Sequence, residues 1–138
     1  MSLTMNVKSS NIKQDNFDEI FETLRKILEK FSKNFVQGNV KTDKPQYHLW
    51  SKNKIPIEGR KPKQIYFAGT IIQKNFVGFY YMPVYADTEL KDFFEPELLS
   101  LLKGKSCFHI KKMDTKLKRQ ITSALDLGLK QYKKRGWL

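Results

Sequence analysis

The sequence predicts an α+β domain in which helices pack on one face of an antiparallel β-sheet. Apolar residues recur at helical spacing near both ends of the chain. Between them lie short segments of alternating or β-rich sequence, separated by links of hairpin length. The predicted order is an N-terminal helix, an antiparallel sheet, a short helix, a strand and a C-terminal helix. No strand–helix–strand repeat typical of a parallel sheet appears.

The composition fits one globular domain. The chain has 138 residues, of which 40% are hydrophobic, and a single Cys. We expect a flexible N-terminal segment over 1–14 and a single α+β domain over 15–138. No apolar run reaches the ~18 residues that a membrane span needs, so we expect no membrane partner. One Cys cannot form an internal disulfide, and this favours a cytoplasmic location.

The N-terminal helix is predicted to begin at Asn16. Asn16 with Glu19 three residues later is typical of a capping box. Acidic residues come first and basic residues later, which suits the helix dipole. The apolar residues of one face are Phe17, Ile20, Phe21, Leu24, Ile27, Leu28, Phe31 and Phe35.

The middle of the chain predicts strands. Residues 46–51 alternate as a strand, and 54–57 predict another, which Pro56 confines to an edge. Residues 64–73 and 76–82 predict a hairpin that turns at Asn75. Its expected register places Gly69 opposite Tyr80 and Gly78 opposite Ile71. In that register Tyr66, Thr70 and Tyr81 share the wetter face, while the other face carries Ile65, Phe67, Ile71, Tyr80 and Met82.

The last third of the chain predicts short helical pieces over 88–103, a strand over 106–110 and a final helix. Gly104 stands where a helix commonly stops, and Asp114 is typical of a cap. Basic residues end the final helix, as the dipole favours.

The positive charge indicates an anionic partner or a solvated lysine surface. The net charge is +12, and residues 101–138 carry eleven of the 26 cations against two acids. A basic surface attracts phosphates. Only four cations are Arg, however, and sequence-reading proteins favour Arg. The candidate anion-binding residues, for nucleic acid or another polyanion, are Lys105, Lys116, Lys118 and Arg119.

No catalytic constellation is evident. Gly104-Lys105-Ser106 lacks the earlier glycine of a phosphate-binding loop, since Leu99 holds that position. Cys107 and His109 point to the same side of a predicted strand, but two ligands do not make a zinc site and no third group orients a nucleophilic pair. We therefore expect no enzyme and no cofactor.

Aromatic and polar residues of the predicted sheet could line a ligand pocket. They could equally be ordinary strand residues that fit a half-buried pleat. The candidate ligand-binding residues are Trp50, Tyr66, Thr70, Tyr81 and His109.

Three segments resemble the YdhG-like group of bacterial domains of unknown function: Tyr66-Phe67-Ala68-Gly69, Met82-Pro83-Val84-Tyr85 and Gly104-Lys105-Ser106. The resemblance covers roughly residues 16–135. That group is similar in fold to frataxin, which implies terminal helices laid on an antiparallel sheet. The frataxin connection also implies an iron site on the first helix. The residues that match it are Asp15, Asp18, Glu19 and Glu22, and the same residues could simply form an acidic first turn.

These observations favour a non-enzymatic ligand- or partner-binding module, acting as a monomer or homodimer. The alternative is a basic accessory protein that binds nucleic acid or another polyanion through its C-terminal lysine-rich region. The sequence does not identify the ligand or partner.

Overall fold

The computed structural model describes the backbone of residues 2–138 and the side chains of residues 16–138. It is an α+β structure with one six-stranded antiparallel sheet. The strands are β1 (Phe35–Gln37), β2 (Gln46–Ser51), β3 (Tyr66–Ile72), β4 (Val77–Tyr81), β5 (Leu102–Lys103) and β6 (Cys107–Ile110). The helices are α1 (Ser2–Glu29), α2 (Met82–Ala86), α3 (Pro96–Ser100) and α4 (Thr115–Arg135), with 3-10 turns at Ser32–Asn34 and Thr88–Phe93. The strand order is β1-β2-β3-β4-β6-β5.

The predicted bounds of the first helix are wrong at both ends. Helix α1 begins at Ser2, and the Asn16 amide donates to the Lys111 carbonyl (3.0 Å) rather than capping a helix. Phe35 belongs to β1 and not to the helix. Its ring is buried in the core, where it stacks on Phe67 with ring centres 4.3 Å apart. The flexibility predicted for 1–14 stays a prediction, since those side chains lie outside the described residues.

The predicted hairpin and its register are confirmed. Gly69 pairs with Tyr80, and Ile71 pairs with Gly78. Strand β2 also has its predicted bounds. The segment 54–57, predicted as a strand, makes only a single bridge between Ile55 and Lys63. Pro56 removes a ladder donor from this segment, which limits further pairing.

A β-bulge at the start of β3 changes the faces of the sheet to which Tyr66 and Phe67 point. Leu49 pairs with Ala68 but Trp50 pairs with Tyr66, so Phe67 is an extra residue in its strand. The Phe67 ring packs against Tyr132 of α4, with ring centres 5.2 Å apart. Tyr66 points the other way.

Both long helices lie on one face of the sheet. The Tyr81 hydroxyl donates to the Ala124 carbonyl of α4, and Thr70, Phe79 and Tyr81 are fully buried. The prediction of a wetter face that carries Thr70 and Tyr81 is therefore wrong, because that face forms the core. We call the opposite side the outer face. Its strand residues are Val36, Gln46, His48, Trp50, Tyr66, Gly69, Ile71, Gly78, Tyr80, Lys103, Cys107 and His109.

Helix α4 has clear ends. Asp114 caps its start as predicted, its carboxylate accepting from the Leu117 amide (2.7 Å). Gly136 ends it in the left-handed conformation, with φ at 74°. The chain then folds back, so that Trp137 packs edge-on against Tyr132 with ring centres 5.1 Å apart. The Tyr132 hydroxyl donates to the Tyr66 carbonyl (2.6 Å), which joins this end of α4 to the start of β3.

In the part of the chain that the structure describes, every helix is too short or too polar to cross a bilayer.

Candidate functional site

A cleft of about 520 Å³ lies at the end of the sheet where β3 begins. The ends of β2 and α4, helix α2 and the loop 52–65 meet there. Small-molecule sites commonly enclose about 300–1,000 Å³. We call this the end cleft, and its aromatic lining residues are Trp50, Tyr66, Tyr85 and Trp137.

The aromatic side chains of the end cleft are held by contacts of their own. The Trp50 indole donates to the Gly38 carbonyl (2.8 Å) and meets Tyr66 edge-on at 4.9 Å between ring centres. Trp137 is fixed by its packing on Tyr132. Rigid aromatic side chains bind an apolar group at low entropic cost.

Three cations also line the end cleft. Arg60 and Lys63 come from the loop 52–65, and Arg135 comes from the last turn of α4. The Arg135 guanidinium lies 4.9 Å from the Trp137 ring centre and donates to the Ala86 carbonyl (3.3 Å). No carboxylate is among the described lining residues. The cleft therefore combines an apolar wall with positive charge, which suits an organic anion.

A neutral polar pair lies behind this aromatic wall. The Tyr66 hydroxyl is 2.7 Å from Nδ1 of His48, and His48 is 1% exposed. Burial lowers the pKa of His48 to about 4 and raises the pKa of Tyr66, so both groups are neutral at pH 7. Nε2 of His48 has no hydrogen-bond partner among the described residues.

The structure brings together two of the five predicted ligand-binding residues. Trp50 and Tyr66 line the end cleft. Thr70 and Tyr81 are buried in the core and cannot contact a ligand there. His109 lies elsewhere on the outer face, stacked on Phe76.

Sequence reasoning missed Arg135 and Trp137 as site residues. The basic loop that carries Arg60 and Lys63 is visible in the sequence, but its contact with the chain end is not. Trp137 reaches the cleft because the chain reverses at Gly136, and that reversal could have been predicted from a glycine after a helix.

The predicted anion-binding residues fall in two places. Lys116, Lys118 and Arg119 lie in the first turns of α4, whereas the Lys105 ammonium lies 5.6 Å from the ring centre of Tyr85. Carboxylates lie beside two of the α4 cations. Arg119 is 3.9 Å from Glu95, and Lys118 shares a small cavity with Glu19 and Asp114.

The acidic residues of α1 do not converge in the described part of the chain. The side chain of Asp15 lies outside the described residues, and Asp18 and Glu19 are exposed. Glu22 accepts from Arg25 (2.8 Å), and this hydrogen bond lowers the pKa of Glu22. From Asn16 onward, no group of three or more His, Cys, Asp or Glu side chains could hold a metal ion.

Cys107 and His109 share the outer face of β6, but their environments do not activate a thiol. Burial raises the pKa of Cys107, which faces Tyr80 on the next strand. Burial and the charges of Lys103 and Lys111 lower the pKa of His109. Both shifts disfavour the thiolate–imidazolium pair that a cysteine nucleophile needs.

Comparison of the chain with protein-family models, curated proteins and solved structures finds no match in any of the three. The resemblance to the YdhG-like group therefore stays a prediction.

Proposed function

We propose that this chain is a non-enzymatic module that binds a small organic anion with an aromatic or apolar body in the end cleft. One observation carries the proposal: aromatic and cationic side chains line the same cleft of about 520 Å³, and no described carboxylate does. An apolar pocket with a few placed polar groups is the common form of a small-molecule site.

The two kinds of side chain have separate tasks. The apolar body packs against Trp50, Tyr66 and Trp137, which bury hydrophobic area and are already fixed. Arg135 binds the anionic group, because its planar fork matches a carboxylate and its contacts with Trp137 and Ala86 hold it in place. Arg60 and Lys63 add positive charge from the loop.

The fluorescence of the protein tests this proposal directly. The chain has two Trp residues, and both line the end cleft. Phenylpropionate, phenylpropanol and phenylpropylamine share one ring and differ in charge, so they separate apolar from electrostatic binding. We expect the acid to change the fluorescence saturably and to raise Tm, the alcohol to bind more weakly, and the amine to bind least.

The Arg135→Gln variant identifies the anion contact. We expect it to bind phenylpropionate about 10- to 150-fold more weakly, since a hydrogen bond to a charged group contributes about 1.5–3 kcal/mol. Arg119→Gln is the matched control, because it removes the same charge from an exposed position near the other end of α4. No response to any of the three compounds, or equal affinity for acid and amine, would overturn the proposal.

A further inference from the structure

A second aromatic surface lies on the outer face, away from the end cleft. The rings of Phe76 and His109 stack nearly parallel, with centres 3.6 Å apart and planes 9° apart. Phe76 directly precedes β4 and His109 lies on β6, and both are half-buried. Their stack therefore reaches solvent on a sheet face that neither α1 nor α4 covers with its described side chains.

Tyr80 extends this surface. A Cβ on Gly78 would lie only 2.7 Å from ring atoms of Tyr80, so the Tyr80 ring packs closely over the Gly78 backbone. Gln73 donates to the Tyr80 hydroxyl (2.9 Å) and fixes the ring. Gly78 lies between Phe76 and Tyr80 along the chain and pairs with His109 of the neighbouring strand β6, so the three side chains surround Gly78 on the outer face. We call these three residues the stacking surface.

A basic cleft adjoins the stacking surface at the β5–β6 edge. It encloses about 460 Å³, and Lys103, His109, Lys111 and Lys112 line it. Two carboxylates also line it, so three lysines face two acids there: Asp114 caps α4, and Glu97 accepts from Gln120 (3.1 Å). We call it the edge cleft. His109 belongs to both the stacking surface and the edge cleft, so the aromatic rings lie next to the lysines.

We propose that single-stranded nucleic acid binds here, with a base packed on the stacking surface and its phosphates in the edge cleft. Aromatic side chains stack any exposed base, and a duplex does not present its base faces. Lysines bind phosphates as point charges without reading sequence, which fits a chain with few arginines. The six strands themselves contain no acidic residue, and the three lysines of the edge cleft outnumber its two carboxylates. This proposal goes beyond the end cleft and does not depend on it.

Fluorescence anisotropy with labelled oligothymidylate and oligouridylate tests the proposal over a range of salt concentrations. We expect both to bind, with affinity that falls steeply as salt rises, and a DNA duplex of equal length to bind more weakly. Tighter binding of the duplex, or no binding at low salt, would overturn the proposal.

Two variants separate stacking from charge. Phe76→Leu keeps an apolar side chain, and we expect about a tenfold loss of affinity with an unchanged salt slope. The double variant Lys103→Gln/Lys111→Gln should lower both the affinity and the salt slope, by up to about two units of slope. The matched control is Lys133→Gln/Lys134→Gln, which removes the same charge at the far end of α4 and should bind nearly as the natural protein does.

The controls keep the test decisive. An equal loss in the Lys133/Lys134 variant would show that net charge alone binds, which overturns the proposed surface. If Phe76→Leu loses its fold by circular dichroism, His109→Gln tests the same stack from the other strand. Phenylpropionate binding by each variant reports on the end cleft, so failure of one proposal is distinguishable from failure of the other.

Discussion

The Tyr66 hydroxyl lies 2.7 Å from Nδ1 of His48, across the boundary between β2 and β3. The contact exists because the bulge at Phe67 turns Tyr66 to the outer face. Gly69, between the two side chains, leaves room for both. One irregular residue in β3 thus determines both the polar pair and the aromatic wall of the end cleft.

His48 should make the protein less stable in mild acid. Its pKa falls from the ordinary 6.5 to about 4 on folding, because burial disfavours the charged ring. At pH 7 and above the His48 ring is mostly neutral in both states, so it contributes little to the pH dependence there. Below pH 6.5 His48 is protonated in the unfolded chain but stays neutral in the folded protein. The free energy of unfolding therefore falls by about 3 kcal/mol as pH decreases to about 4.

Urea unfolding at several pH values measures this loss. His48→Gln should flatten the decline between pH 6.5 and 4 even if it lowers stability at pH 7. His109→Gln is the comparison, since His109 is half-buried and should change the profile less. An unchanged slope in His48→Gln would contradict the prediction.

Gly69→Ala should disrupt the His48–Tyr66 pair. The new Cβ would collide with the His48 ring and the Tyr66 hydroxyl, and it would lie 2.7 Å from the Tyr47 carbonyl oxygen. A backbone atom cannot give way as a side chain can, so we expect a loss of roughly 1–3 kcal/mol in urea unfolding. Gly38→Ala meets only Trp50 side-chain atoms at 3.3 Å and should cost less. Equal losses would count against this packing.

Thr70→Val should stabilise the protein. The Thr70 hydroxyl is buried and has no hydrogen-bond partner among the described residues. Valine keeps the β-branched shape and removes the desolvated group, so we expect a gain of about 1 kcal/mol in the free energy of unfolding. In the control Thr122→Val, the exposed hydroxyl that donates to Lys118 (2.8 Å) is lost, with little effect. A destabilised Thr70→Val variant would refute the prediction.

Cys107 should react slowly with iodoacetamide at neutral pH. Burial raises its thiol pKa, so little thiolate is present, and the rate should rise as pH increases. The urea-unfolded chain should react faster under the same conditions. Native alkylation as fast as in the unfolded chain would revive a nucleophilic role.

Local sequence signals predicted much of the fold. The Lys74-Asn75 turn and the flanking β-rich runs are enough to place Gly69 opposite Tyr80. Asp114 predicts the start of α4, because a capping carboxylate acts on amides three residues away. The prediction that places Phe35 in the first helix is wrong. Its spacing fits the apolar face of that helix, but it is the first residue of β1.

The orientation of the sheet could not be predicted in the same way. Tyr80 and Tyr81 are adjacent and have the same side chain, so the sequence does not indicate which of them faces the core. In the structure their hydroxyls have different hydrogen-bond partners. The buried Tyr81 hydroxyl donates a hydrogen bond to the Ala124 carbonyl, whereas the Tyr80 hydroxyl accepts one from Gln73 on the outer face. The bulge at Phe67 carries no Gly or Pro that would signal it. The end cleft likewise depends on residues 50, 66, 135 and 137 meeting through tertiary packing.

The two outermost strands are short, since β1 has three residues and β5 has two. Peptides often bind a sheet by adding a strand at its edge, where unpaired backbone amides and carbonyls can form hydrogen bonds. Here each border offers only a few such groups. The sheet is therefore poorly suited to extension by pairing with further strands.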